Sequence, residues 1–168
     1  MQEKRKHVNM KVIFLDFDGV ITTMKSRWNL CKEKMELVKE IVDKTGAKIV
    51  ISSSWRHSTL ESTLDYITTL GNAFVHNVTF LMPEDVVGVT DRIYYHKCSD
   101  KEKHEYHVCR GVEIEHYLYE HPEIKNYVIL DDDSDMLLSQ RKHFVKTHTL
   151  RGISKKNVET AIKILNSK

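Results

Sequence analysis

A layered α/β fold built on a central, mainly parallel sheet is the fold class this sequence predicts, on three observations. Short runs rich in β-branched and apolar residues, "KVIFLDF", "AKIVISSS" and "NYVILDDD", read as strands buried on both faces. Stretches with helical periodicity lie between them, which gives each strand-to-strand step room for a right-handed crossover. The chain has 168 residues, 40% of them hydrophobic, enough for one core and short for two domains.

The elements follow in order. Residues 1–9, polar and basic with Lys4, Arg5 and Lys6 together, read as a flexible tail, and 10–168 as the single domain. "KVIFLDF" is the first strand. "CKEKMELVKEIVDKTG" is an amphipathic helix closed by Gly46, and "AKIVISSS" is the second strand. "TLESTLDYITTLG" repeats the helical pattern and should end at Gly71. An irregular region then runs to about Arg110, with the short apolar pieces "FVHNVTFLM" and "VVGV" and an exposed, histidine-rich polar loop. "GVEIEHYLYEHP" reads as a helix, "NYVILDDD" as a strand, "HFVKTH" as an edge strand, and "SKKNVETAIKILN" as a closing helix. Three layers result, with helices on both faces of the sheet.

Composition removes several classes of function. No apolar run approaches a membrane span and the N-terminus lacks the core of a signal peptide, so a cytoplasmic protein is expected. Three cysteines, Cys31, Cys98 and Cys109, suit free thiols in a reducing compartment better than a disulfide framework. The formal net charge of +2 argues neither for nor against nucleic acid.

In an open parallel sheet the ligand site lies beyond the carboxyl ends of the strands. Those ends here carry chemistry: Asp16 and Asp18 after the first, Ser52, Ser53 and Ser54 with Trp55 and Arg56 after the second, and Asp131, Asp132 and Asp133 after a later one. Carboxylates from two strand ends repel unless a hard cation sits between them, and an all-oxygen site suits Mg²⁺ better than zinc. A carboxylate beside Mg²⁺ can attack phosphorus, a second acid can protonate the leaving oxygen and later activate water, and hydroxyls with a basic side chain can hold the phosphoryl oxygens. Phosphoryl transfer fits these parts.

The constellation resembles the haloacid dehalogenase (HAD) superfamily of phosphohydrolases, whose first motif is an apolar strand ending in DxD and glycine, as in "FLDFDGV". The resemblance implies a Rossmann-like fold with Asp16 as nucleophile, Asp18 as proton shuttle, and Asp16, Asp18, Asp131 and Asp132 around Mg²⁺. "IVISSS" resembles the second, phosphate-contacting motif, with the choice between Ser52 and Ser53 open; "VILDDDSD" resembles the acidic fourth. For the basic third motif Arg110 is chosen because it precedes a helix, ahead of Lys101 and Lys103. Val20 stands where many members carry Thr, which removes no catalytic group. The intervals between motifs leave no room for a sizeable cap, so the site should be open. Such capless members commonly act on macromolecules, and "SSSWR", "RGVEIEHYL" and "LDDD" look most like domains of RNA-repair proteins and, more distantly, the phosphatase half of polynucleotide kinase-phosphatase.

The expected reaction is therefore Mg²⁺-dependent removal of a terminal phosphate from a nucleotide or polynucleotide, with Arg27 and Arg56 gripping the substrate and Trp55 either stacking or packing. The alternatives are a small phosphorylated metabolite as substrate, transfer to an acceptor other than water, and a phosphate-binding module without turnover. Asp133 and Asp135 read as less central, one of them capping the next helix. Cys98, His104, His107 and Cys109 offer zinc-ligand chemistry without a recognised spacing, so an exposed loop is preferred.

Overall fold

The computed structural model describes residues 9–74, 83–99 and 102–167. The basic stretch 1–8, most of "FVHNVTFLM" and Lys101 lie outside the described residues, as do the side chains of Lys103, Cys98 and His104.

Five strands form one sheet in the order β3-β2-β1-β6-β7, and every pairing in it is parallel. The first is β1 (Met10–Leu15), followed by α1 (Lys32–Thr45), β2 (Lys48–Ile51), α2 (Leu60–Phe74) and β3 (Val86–Val89). Next come β4 (Tyr94–Ser99), β5 (Glu102–His107), α3 (Arg110–Glu120), β6 (Ile124–Asp131), β7 (Phe144–Lys146) and α4 (Lys155–Leu165). Because β1 has neighbours on both sides and helices above and below, its residues Val12 to Leu15 are fully buried. Alternation splits them: Ile13 and Leu15 join the core with α1, α2 and α4, while Val12 and Phe14 join the core with Ile114 and Tyr117 of α3. Removing such side chains from water is worth about 1.5–3 kcal/mol each, enough to fix the register firmly.

The helices end where local chemistry says they should. Gly46 takes a left-handed conformation at φ 68° and returns its amide to the Val42 carbonyl, closing α1. Ser154 accepts from the Asn157 amide while the Asn157 side chain reaches back to Ser154, a reciprocal cap on α4.

Two expectations are corrected. The second helix does not stop at Gly71 but continues to Phe74. A glycine costs a helix only about 1 kcal/mol, too little to terminate one by itself. The histidine-rich stretch is not a loop: Tyr94–Ser99 and Glu102–His107 form an antiparallel hairpin, with Cys98 opposite Lys103 and Lys97 opposite His104. Its residues are mostly polar or aromatic, so no apolar face announced it. Among the described residues there is no cap domain; the insertion between β3 and α3 is this hairpin.

One buried ion pair ties the layers together. Arg56, after β2, meets Glu113 in the first turn of α3 at 2.5 Å, and both side chains are 4% exposed. Arg56 also donates to the carbonyls of Ser53 and Thr90, and Glu113 accepts from the Ile93 amide, so the end of β2, the end of β3 and the start of α3 are bound in one network. Glu113→Ala would leave the Arg56 cation buried without its partner, and a loss of about 3–5 kcal/mol in urea unfolding is expected. A surface change such as Glu33→Ala should alter it by less than about 0.5 kcal/mol.

Candidate active site

Register brings the acids and serines into one row. Leu15 pairs with Ile51 on one side and Leu130 on the other, so the residues that follow, Asp16, Ser52 and Asp131, end flush at the carboxyl edge of the sheet. The ladder continues one step, with Ser52 N–H donating to the Leu15 carbonyl and Asp16 N–H to the Leu130 carbonyl, both at 3.0 Å. The chain then turns sharply around the Phe17 carbonyl, which accepts from the amides of Val20, Ile21 and Thr22. Asp18 therefore leaves on a tight turn and not on an extension of the strand.

That turn fixes Asp18 from two sides. Thr22 Oγ1 donates to its Oδ1 at 2.8 Å, and the Trp55 indole N–H donates to Oδ2 at 3.0 Å. Trp55 is itself wedged against Phe17, ring centroids 5.5 Å apart. It is neither simply packing nor simply a stacking platform: it orients a catalytic candidate. Sequence reasoning missed this link, and no spacing between residues 18 and 55 would have disclosed it.

Asp16 is buried and faces a cation. Arg110 Nη1 lies 3.4 Å from Asp16 Oδ1, and Arg110 Nε lies 3.8 Å from Asp131 Oδ2. Arg110 is the first residue of α3, and its amide is held by Asp135 Oδ2 at 2.8 Å. Asp135 thus serves the preceding helix, α3, where a cap on the next helix was expected. Ser53 hydrogen-bonds Asp16, whereas Ser52 Oγ is buried without a hydrogen-bond partner. The two serines are thereby distinguished, Ser53 standing beside the nucleophile candidate.

Other expected residues lie elsewhere. Arg56 was expected to grip substrate but is turned inward onto Glu113 and backbone carbonyls. Glu113 was the missing clue: it falls on the same helical face as Ile114 and Tyr117, where a lone acid needs a buried cation. Arg27 is exposed on the loop before α1, and no described contact ties it to the carboxylates. Asp133 is exposed, its Oδ1 accepting from the Ser134 amide. Of the thiol and imidazole group, His107 packs against Tyr94 with the rings tilted and their centroids 4.1 Å apart, and Cys109 precedes α3.

The acids that converge are Asp16, Asp131 and Asp132, whose nearest ligand oxygens all lie within 4.8 Å of one another. The Asp18 side chain is not in this group; Thr22 and Trp55 engage its two oxygens. Asp131 Oδ1 accepts from the Asp133 amide, while Oδ2 is buried with no hydrogen-bond partner. An orphaned, buried carboxylate oxygen beside two further carboxylates is the donor set a hard divalent cation takes. Gly19 makes the cluster possible. At φ +68°, a Cβ on it would lie 2.3 Å from Asp132 Cγ, so only glycine lets the Asp132 carboxylate approach. Thr147 Oγ1, donating to the Gly19 carbonyl at 2.6 Å, pins the turn in place.

Burial, then the neighbouring Asp16, pushes Asp131 up to about 7, with Arg110 opposing. Burial likewise raises Asp16, again opposed by Arg110.

Two outcomes follow from this electrostatics. A raised acid contributes stability that is full below its unfolded pKa and is lost as pH rises through the folded one. In metal-free protein, Asp131→Asn should therefore gain on the wild type, by a few kcal/mol, as pH rises from about 4 to 7, and millimolar Mg²⁺ should reduce the gain. Thermal melts across that range read it directly. Gly19→Ala should abolish calorimetric Mg²⁺ binding, since Asp132 can no longer close on Asp16 and Asp131; undiminished binding would mean that Asp132 is not a ligand.

Residues 12–158 match a family model described as the HAD domain in Swiss Army Knife RNA repair proteins. No curated protein and no solved structure matches the chain.

Proposed function

The chain belongs to that family of HAD domains, small HAD-type phosphatases, and on this premise we propose that it removes a terminal phosphate from a polynucleotide through an aspartyl-phosphate on Asp16. The observation that carries the reading is the juxtaposition, at one strand end, of buried Asp16 with Arg110 at 3.4 Å and Ser53 beside it, next to an Asp18 oriented by Trp55 and Thr22. A carboxylate held only for structure, like Glu113 on Arg56, needs no second carboxylate oriented beside it.

The chemistry is a double displacement. An Asp16 oxygen attacks phosphorus as the bond to the leaving oxygen breaks, and Asp18 delivers its proton to that oxygen. Asp18 then removes a proton from water, which attacks the phosphorus, releases inorganic phosphate and regenerates the Asp16 carboxylate. Arg110 and the Ser53 hydroxyl stabilise charge on the phosphoryl oxygens during both steps. Mg²⁺, held by Asp16, Asp131 and Asp132, would offset the charge of the carboxylates and the phosphoryl group. Arg110 serves as the third-motif base.

The polynucleotide reading draws on the family description and on the surroundings. No described cap covers the site. Lys34, Lys146, His148 and Arg151 line a cleft of about 430 Å³ that includes Thr147, the residue pinning the Gly19 turn, so positive charge adjoins the site on the β7 side. Arg27 is exposed on the loop between the catalytic turn and α1.

Phosphate release in Mg²⁺ from an aryl phosphate, nucleoside monophosphates and 3′- or 5′-phosphorylated oligonucleotides tests the proposal. Asp16→Asn should fall to background, and Asp18→Asn should lose about 10²–10⁴-fold. Turnover confined to small substrates would replace the polynucleotide with a metabolite; wild-type silence on all of them would sink the phosphatase assignment.

A further inference from the structure

A second cleft adjoins the site on the opposite flank, beyond β2 and β3. It has a volume of about 720 Å³, inside the range of pockets that hold small ligands. Its walls come from three places: the turn after β2, with Trp55 and His57; the exposed face of α2, with Tyr66; and the segment leading into β4, with Arg92 and Tyr94.

These residues do not read as a buried core caught half-finished. Tyr66 and Tyr94 are 40% and 39% exposed. Tyr66 meets the rings of His57 and Trp55 at centroid distances of 4.7 and 6.3 Å, so three aromatic groups form a contiguous wall. The aromatic surface runs on along the hairpin, where Tyr95, 52% exposed, stacks on Tyr106. Arg92 spans the floor. Its Nη2 donates to the Ser54 and Arg56 carbonyls, and its Nε and Nη1 have no partner among the described residues.

The wall begins one side chain from the chemistry. Trp55, which lines the cleft, is the same residue whose indole N–H holds Asp18 at 3.0 Å. A group attached to a phosphate at Asp16 therefore has this cleft beside it on that flank. Flat rings presenting faces and edges, a planar cation with donors unspent, and hydroxyl and carboxylate side chains in Ser58 and Asp91 are the means by which proteins hold unpaired nucleobases: stacking for affinity, edge contacts for orientation.

We propose that this cleft is a base-stacking subsite for the nucleosides adjoining the terminal phosphate of a single-stranded nucleic acid, with Tyr66 as a principal stacking ring and Arg92 as a polar anchor. The proposal deepens the phosphatase reading and rests on it for the position of the terminal phosphate. The β7-side cleft then takes no part in base recognition, and its cations act on backbone charge.

The test measures binding, which needs no turnover. A six-nucleotide single-stranded RNA, phosphorylated at one end and carrying a fluorophore at the other, is titrated by anisotropy with the full chain bearing Asp16→Asn in Mg²⁺, once for each phosphate polarity. Adding Tyr66→Ala should weaken binding roughly tenfold, the loss expected for one base–aromatic stack. Tyr66→Phe should restore it, because the ring and not the hydroxyl is required, and this variant separates lost stacking from a disturbed fold. Tyr119→Ala, 86% exposed on α3 and outside both clefts, should bind as the parent does. That pattern supports the subsite whether or not phosphate release is ever detected. Parent-like binding by Tyr66→Ala, or failure of Tyr66→Phe to recover, overturns it. RNA that does not bind the Asp16→Asn chain at all overturns the subsite, and release of phosphate from an aryl phosphate by the wild-type chain then leaves the phosphatase reading standing.

Discussion

Three carboxylates are forced together where the protein excludes water, and most of the molecule's unusual features answer that one electrostatic demand. Asp16 is 5% exposed, Asp131 is fully buried, and Asp132 closes the group from the turn side. Burial raises both Asp16 and Asp131, which is the cost of withholding solvent from charge. The fold answers it in two ways. A single guanidinium, Arg110, stands 3.4 Å from one acid and 3.8 Å from the other. One buried oxygen, Asp131 Oδ2, has no hydrogen bond, which leaves a coordination position for a cation.

Arg110 can do this only if α3 begins in the right place, and the Arg56–Glu113 pair sets that place. Glu113 lies three residues along the helix from Arg110, so the ion pair and the cation facing Asp16 project from the same first turn. Asp135 fixes the same turn by accepting from the Arg110 amide, and Gln140 adds a bond to the Gly111 carbonyl. An acid in the first turn also complements the helix dipole. The loop after β2, the end of β3 and the loop after β6 therefore all bear on where one guanidinium stands. Arg56 acts at a distance from the chemistry, although its position beside the serine motif suggested contact with substrate.

Much of this was legible in the sequence because it depends on short-range pattern. Buried strands announce themselves by unbroken apolar runs, and in a parallel sheet whatever follows such runs must converge; Asp16, the pair Ser52 and Ser53, and Asp131 were identifiable from that rule. Arg110 was reachable because helices in such folds start near strand ends. What escaped was long-range pairing between side chains: Trp55 with Asp18, Arg56 with Glu113, Asp135 with Arg110. Each joins segments whose separation carries no periodicity. The hairpin escaped for a different reason. Its residues are mostly polar or aromatic, and Tyr94, Tyr95 and Tyr106 are exposed, so the contrast between core and solvent that betrays most strands is missing from the sequence.

The two acids of the first motif are given different work by their surroundings. Asp16 ends the central strand, buried, beside a fixed cation and a hydroxyl, an environment that holds its carboxylate in place. Asp18 is half-buried, off the strand, and bound by two neutral donors, an indole N–H and a threonine hydroxyl, which orient it without committing a countercharge. A group that must give up a proton and later accept one is better served by neutral neighbours than by an arginine, because a fixed cation would favour the ionised form throughout. The single residue between the acids, Phe17, makes the difference: its buried ring packs on Trp55 while its carbonyl gathers the turn that carries Asp18 off the strand. The DxD spacing thus reflects one residue of strand end, one residue of core, and one residue of turn, and Gly19 then opens the room that Asp132 needs.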